Sequence, residues 1–83
     1  MEIRFSKVAA RSLLRSNKRV LIREKLDELA VDPLSVSPNV IRLTGRGEYR
    51  LRVQDWRIIF RIEEEVLWID DIAPRGSVYE DRK

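Results

Sequence analysis

From Tyr49 onward the chain alternates. Leu51 and Val53 follow Tyr49 at steps of two, with Arg50, Arg52 and Gln54 between them. Trp56, Ile58, Phe60 and Ile62 then alternate with Arg57, Ile59 and Arg61. A period of two sends successive side chains to opposite faces of an extended chain, so each run reads as a half-buried strand. Only Gln54-Asp55 separates them. A two-residue turn there closes a hairpin that pairs Val53 with Trp56 and, running back, Arg52 with Arg57, Leu51 with Ile58, Arg50 with Ile59 and Tyr49 with Phe60. One face then carries Tyr49, Leu51, Val53, Trp56, Ile58 and Phe60, and the other carries Arg50, Arg52 and Arg57. The turn is neither Asn-Gly nor Asp-Gly, so the register rests on the alternation.

Upstream the apolar spacing is helical. Glu2 to Phe5 reads as a short strand, and Ser6 as the cap of a helix that buries Val8, Ala9 and Leu13. Ser16-Asn17 breaks this helix and offers a second cap. From Lys18, the residues Ile22, Leu26, Leu29 and Ala30 form one stripe, and Arg23 and Asp27 an i,i+4 pair outside it. Pro33 ends the helix, and the segment from Asp32 to Asn39, with two prolines, is a loop. A third strand, Val66 to Ile72, follows the acidic turn Glu63-Glu64-Glu65. The expected fold is a single α+β domain over residues 1–83: an N-terminal strand, a helix pair, then an antiparallel β-meander with the helices packed on one face.

The chain has no cysteine and no histidine. That excludes disulfides, thiolate metal sites and the commonest general base. No apolar run is as long as a membrane span and the first residues are not a signal peptide, so the expected location is the cytoplasm, with no membrane partner. A net charge of +3 says little, but six arginines against two acids between Arg42 and Arg61 says more. Like charges directly opposite each other, as Arg52 and Arg57 are, destabilise a sheet. Either an anion such as phosphate arrives later, or Asp70, Asp71 or a glutamate of the next strand neutralises the pair. A turn of two or three residues at Glu63–Glu65 places opposite sets of that strand on this face, and both readings stand. Beyond the last strand, Pro74 and Gly76 redirect the chain, leaving Arg75 and Tyr79 able to turn back over the sheet. Tyr79 is either part of a site there or a packing anchor.

Three stretches, Arg42-Leu43-Thr44-Gly45, Tyr49-Arg50-Leu51-Arg52-Val53 and Asp55-Trp56-Arg57-Ile58-Ile59-Phe60-Arg61-Ile62, resemble the central block of RelE/ParE toxins. The segment from Ile72 to Tyr79 resembles their final strand and tail. The resemblance covers nearly the whole chain; the central block is its specific part. It implies a toxin of a type II toxin–antitoxin system and, for RelE-like members, a ribosome-dependent endoribonuclease that cleaves mRNA without a metal or cofactor. The alternatives are a ParE-like DNA gyrase poison or a catalytically degenerate RNA-binding member. By motif position the implied catalytic residues are Arg50, Arg52, Arg57, Arg75 and Tyr79, with Arg42, Arg46 and Arg61 binding RNA. Family members often carry lysine at the positions of Arg50 and Arg52 and a histidine in the tail, which this chain lacks. The implied partners are a small, partly disordered antitoxin, the ribosomal A site with its mRNA, and operator DNA only through the antitoxin.

Overall fold

The structure is a computed structural model that describes residues 1–33, 39–43, 45 and 47–75. Strand β1 (Glu2–Phe5) leads into helices α1 (Lys7–Arg15) and α2 (Arg19–Val31). Strands β2 (Val40–Arg42), β3 (Tyr49–Val53), β4 (Trp56–Glu63) and β5 (Val66–Pro74) follow, in a sheet of order β1-β5-β4-β3-β2. The four later strands form the expected antiparallel meander, while β1 lies parallel to β5, which makes the sheet mixed. β2 is an addition to the strands expected from the alternation. With three residues it is too short to show a period, and it is extended because it pairs with β3.

Ser6 caps α1 as expected: its Oγ accepts from the Ala9 N–H at 3.0 Å and donates to the Asp70 carbonyl at 2.9 Å, so one hydroxyl ties the helix start to β5. Ala9 is buried and Leu13 packs on the core, but Val8 is 58% exposed. Ala9 and Leu13 are four residues apart on one helical face, and Val8 lies about 100° away from Ala9 around the helix. The second cap also differs. Lys18 occupies the N-cap of α2 without a side-chain bond, and Ser16 Oγ accepts from the Lys18 N–H instead. The α2 stripe is as expected, with Ile22, Leu26, Leu29 and Ala30 all buried.

These helical residues meet Leu51, Val53, Ile58, Phe60, Leu67, Ile69 and Ile72 in one core. Both helices therefore cover the same face of the sheet. Every pairing of the β3–β4 hairpin is the one the alternation predicts. Gln54 enters its turn at φ 53°, a left-handed conformation that suits the twist of a tight hairpin. The next turn has two residues, Glu64 and Glu65, both left-handed, so Glu63 pairs with Val66. β5 runs past Ile72 to Pro74, and the Arg75 N–H then donates to the Asp55 carbonyl at 2.6 Å, fastening the strand end to the hairpin.

Candidate nucleic-acid interface

The helix-free face of the sheet carries the arginines. Cross-strand partners point to the same side, so Arg50, Arg52 and Arg57 stand together there beside Ile59 and Arg61. Arg52 is exposed, as expected of a surface cation. Arg57 is not: it is only 7% exposed. Its cross-strand neighbours are Arg52 on one side and Ala73 on the other, neither of them acidic. Its Nη1 donates to the carbonyls of Gln54 and Trp56, each at 3.3 Å, which holds the guanidinium over the hairpin end. Burial pushes the Arg57 pKa below the ordinary arginine value, and the charges of Arg50, Arg75 and Arg52 push it further, against a smaller opposing pull from Asp55. These are the conditions under which an anion is most strongly attracted: several fixed cations, one of them poorly hydrated.

The two acids of β5 divide: Asp71 aligns with Ile59 and so shares the arginine face, while Asp70 is taken by Arg61. β5 has an irregularity opposite Ile59 and Phe60, where Ile59 aligns with Asp71 and Phe60 with Ile69. The extra residue is Asp70, and it lets both Ile69 and Ile72 face the core. Asp70 accepts from Arg61 Nε at 3.0 Å, and Glu63 takes the same guanidinium at Nη1. Burial alone lowers the Arg61 pKa, but Asp70 and Glu63 outweigh it and hold the group above its ordinary value. Arg61 also lies 5.1 Å from the Trp68 ring centre, with Arg4 at 5.5 Å from the same ring.

A cleft of about 550 Å³ opens beside the hairpin end, between Arg52, Arg57 and Arg75 on one wall and Leu21, Lys25 and Asn39 on the other. Arg50, Arg52, Arg57 and Arg75 therefore form one electropositive cluster. Arg42 does not join it. It aligns with Tyr49, which stacks on Phe60, and so belongs to the opposite side of the sheet. Arg46 and Tyr79 lie outside the described residues. The alternation gave no hint of Lys25 or Asn39. The available signal was that Lys25 follows Leu21 by one helical turn, on the flank of the buried stripe. Among the described residues no group of three carboxylates is placed to hold a metal ion. No helix among them is long and apolar enough to cross a membrane.

A family model described as the ParE toxin of the type II toxin–antitoxin system, parDE, matches residues 3–79. The chain belongs to this toxin family, within the RelE/ParE superfamily. The fold agrees. The archaeal RelE–RelB complex from Pyrococcus horikoshii OT3 matches with a TM-score of 0.77 at 27% identity, over 92% of this chain and 96% of that one. The RelBE2 toxin–antitoxin complex from Mycobacterium tuberculosis matches at 0.58 and 26% identity, over 89% and 96%. The isolated E. coli RelE toxin matches at 0.71 over 98% and 93%, and at 18% identity this shows the RelE/ParE fold alone. No curated protein matches the sequence. Among the described residues, the cationic groups on the sheet side of the cleft are all guanidinium.

Proposed function

We propose that this RelE/ParE toxin is a ribosome-dependent endoribonuclease that cleaves mRNA. The observation that carries the reading is Arg57, buried at the hairpin end among Arg50, Arg52 and Arg75 with no acid across either strand. A phosphodiester carries the kind of charge that a cluster of four arginines attracts. In the reaction the ribose 2′-oxygen attacks the adjacent phosphorus, the bond to the 5′-oxygen breaks, and the products are a 2′,3′-cyclic phosphate and a 5′-hydroxyl. Arg57 and Arg52 hold the nonbridging oxygens and stabilise the charge that grows on them. Arg75 neutralises the leaving 5′-oxygen, whose proton comes from Arg75 or from water. The 2′-hydroxyl proton needs an acceptor, and arginine is a poor one. Tyr79 is the tail group assigned to it, or to stacking on a base. Positioning by the ribosome supplies much of the rate. Arg42, on the other side of the sheet, and Arg46 are left to hold RNA backbone outside the cleft. Arg61, engaged by two carboxylates, is assigned to the sheet rather than to RNA.

A cognate antitoxin belongs to the same proposal, since several of the matched solved structures are toxin–antitoxin complexes. Acidic residues of such a segment suit the arginine cluster, and its apolar residues suit the outer helix positions Val8, Leu14 and Val20, exposed by 58, 69 and 70%. The description of the family model favours a second reading, a ParE-like poison of DNA gyrase. Inducing the chain in a host, mapping mRNA 5′ ends and scoring gyrase-linked DNA breaks separates the two. The expected result is cuts within translated codons of ribosome-bound mRNA. Growth arrest with gyrase-linked breaks and intact mRNA makes the second reading the correct one.

A further inference from the structure

The cleft beside the hairpin end has two unlike walls. One is the arginine cluster. The other is built by α2, which sets Leu21 and Lys25 one turn apart on the same side, and by Asn39, just before β2. Val53, Gln54 and Asp55 also line it. Leu21 and Val53 thus provide apolar surface, and Asn39, Gln54 and Asp55 provide hydrogen-bonding groups of both kinds. A small apolar patch among hydrogen-bonding groups, next to the arginine cluster, suits the chemistry of a nucleotide: a flat base with a polar edge, joined to an anion. The volume of about 550 Å³ lies in the range of small-ligand sites.

We propose that this cleft seats the nucleotide on one side of the scissile phosphate, with Lys25 binding its backbone and Asn39 reading its base. The inference rests on the ribonuclease reading and adds to it two substrate-binding residues that lie outside the central strands. Among the described residues, Lys25 is the one cation lining the cleft that is not an arginine, and its ammonium acts as a compact, rotatable donor where the guanidiniums act as rigid forks. Its partner within the chain is Glu28 at 3.6 Å, three residues along α2. That exposed pair is weak enough to exchange for a phosphate. α2 then serves both faces of its own length: Ile22 and Leu26 anchor it in the core, and Leu21 and Lys25 face the cleft.

The test is an NMR titration of the full chain with a short single-stranded RNA carrying 2′-O-methyl groups, which block cleavage. A salt series is run on the wild type and on Lys25→Ala, Asn39→Ala and Arg57→Met. The expected result is amide shifts at Leu21, Lys25 and Asn39 together with those of β3 and β4. Lys25→Ala weakens binding about three- to tenfold and lowers the salt slope by about 0.7, one phosphate contact on a single strand. Asn39→Ala changes the preference among four probes that differ in one base and leaves the salt slope unchanged. Shifts confined to β3 and β4, with Lys25→Ala binding as wild type, overturn the inference and leave the ribonuclease reading standing. No RNA-dependent shift at any residue overturns the inference alone; gyrase-linked breaks with intact mRNA in the induced host overturn the ribonuclease reading as well.

Discussion

Arg57 and Arg61 lie four residues apart on one strand and point from the same face of the sheet, yet their surroundings are opposite. Arg61 meets Asp70 and Glu63 and lies against Trp68; its charge is balanced within the chain. Arg57 meets Arg52 across one strand and Ala73 across the other, and its charge is disfavoured by burial and by Arg50, Arg75 and Arg52. A cation that stabilises the fold acquires carboxylates; a cation kept for a ligand is held where the fold gains least from it. The cluster at Arg57 is the end of the sheet where the fold gains least from its cations, as the proposed anion site would require. The extra residue at Asp70 produces the contrast, because it delivers the carboxylate to Arg61.

The largest effect should come from removing each arginine in turn. Arg57→Met keeps much of the side chain's volume and removes a buried charge that lacks an acidic cross-strand partner. We expect mRNA cleavage in the induced host to fall by about 10²–10³, the range for losing one donor to a developing oxyanion. The melting temperature should hold or rise by a few degrees, since relief of about 1 kcal/mol moves a domain of this size by roughly 4–8 °C. Arg61→Met should do the reverse: cleavage within a few-fold of wild type, and a melting temperature lowered by several degrees as Asp70 loses its cation. Parallel toxicity and melting curves check both. Equal losses of activity in the two variants would erase the distinction between them.

The second effect concerns Tyr79. If the arginine cluster acts only by charge, proton transfer must come from another group. Tyr79→Phe keeps a stacking face, worth about 1–3 kcal/mol per base, and removes the hydroxyl. We expect its cleavage rate to fall about 10²-fold, the lower end of general acid–base effects, and Tyr79→Ala to be slower still. A Phe variant at the wild-type rate assigns Tyr79 to stacking. An Ala variant that melts many degrees lower yet cleaves normally when folded assigns it to packing.

The contrast between the two arginines also marks where the sequence could be read. The hairpin register that pairs Arg52 with Arg57 was legible, because alternation on both sides of a two-residue turn leaves one arrangement that sets Tyr49, Leu51, Val53, Trp56, Ile58 and Phe60 on one face. The fate of the acids was not. Whether Asp70 or Asp71 reaches the arginine face depends on an irregularity in β5, and that is settled by Ile69 and Ile72 both seeking the core. For the same reason the strand partner of β1 and the existence of β2 were hidden: each is decided by pairing between distant segments. The burial of Arg57 belongs here too, since alternation assigns a face but not a depth. Lys25 and Asn39 enter the cleft only through the packing of α2 beside the hairpin end.

A third, smaller effect follows from removing the carboxylate itself. Asp70→Asn should turn Arg61 toward the condition of Arg57. The side chains are 32% and 24% exposed, so solvent screens the pair and we expect only a small loss of stability. Ser6 still bonds the Asp70 backbone carbonyl, so the strand irregularity should persist and the change should stay local. Calorimetry measures the loss, and the salt dependence of RNA binding measures any new anion site. A stability loss of several kcal/mol would mean that Asp70 organises the strand and does more than balance Arg61.

The smallest expected effect is that of pH, and its near-absence is informative. Arg57 has a folded-state pKa below its unfolded value, which for a cation means that folding disfavours the charged form. The cost is therefore present at every pH below the depressed value and disappears only in strong alkali. Glu2 runs the other way: its hydrogen bond to Arg4, with their charge attraction, lowers its pKa, so its contribution is complete above the ordinary glutamate range and is lost as pH falls through the folded-state value. The chain has no histidine to titrate between these limits. The melting temperature should accordingly stay level from about pH 6 to 8.5, and the difference between wild type and Arg57→Met should be constant across that window. In cleavage assays the same arginines should give no break near pH 6.5, and any rise toward alkaline pH should vanish in Tyr79→Phe. A difference between wild type and Arg57→Met that changes steeply inside the window would show that a titrating group, and not burial among arginines, sets the charge state of the cluster.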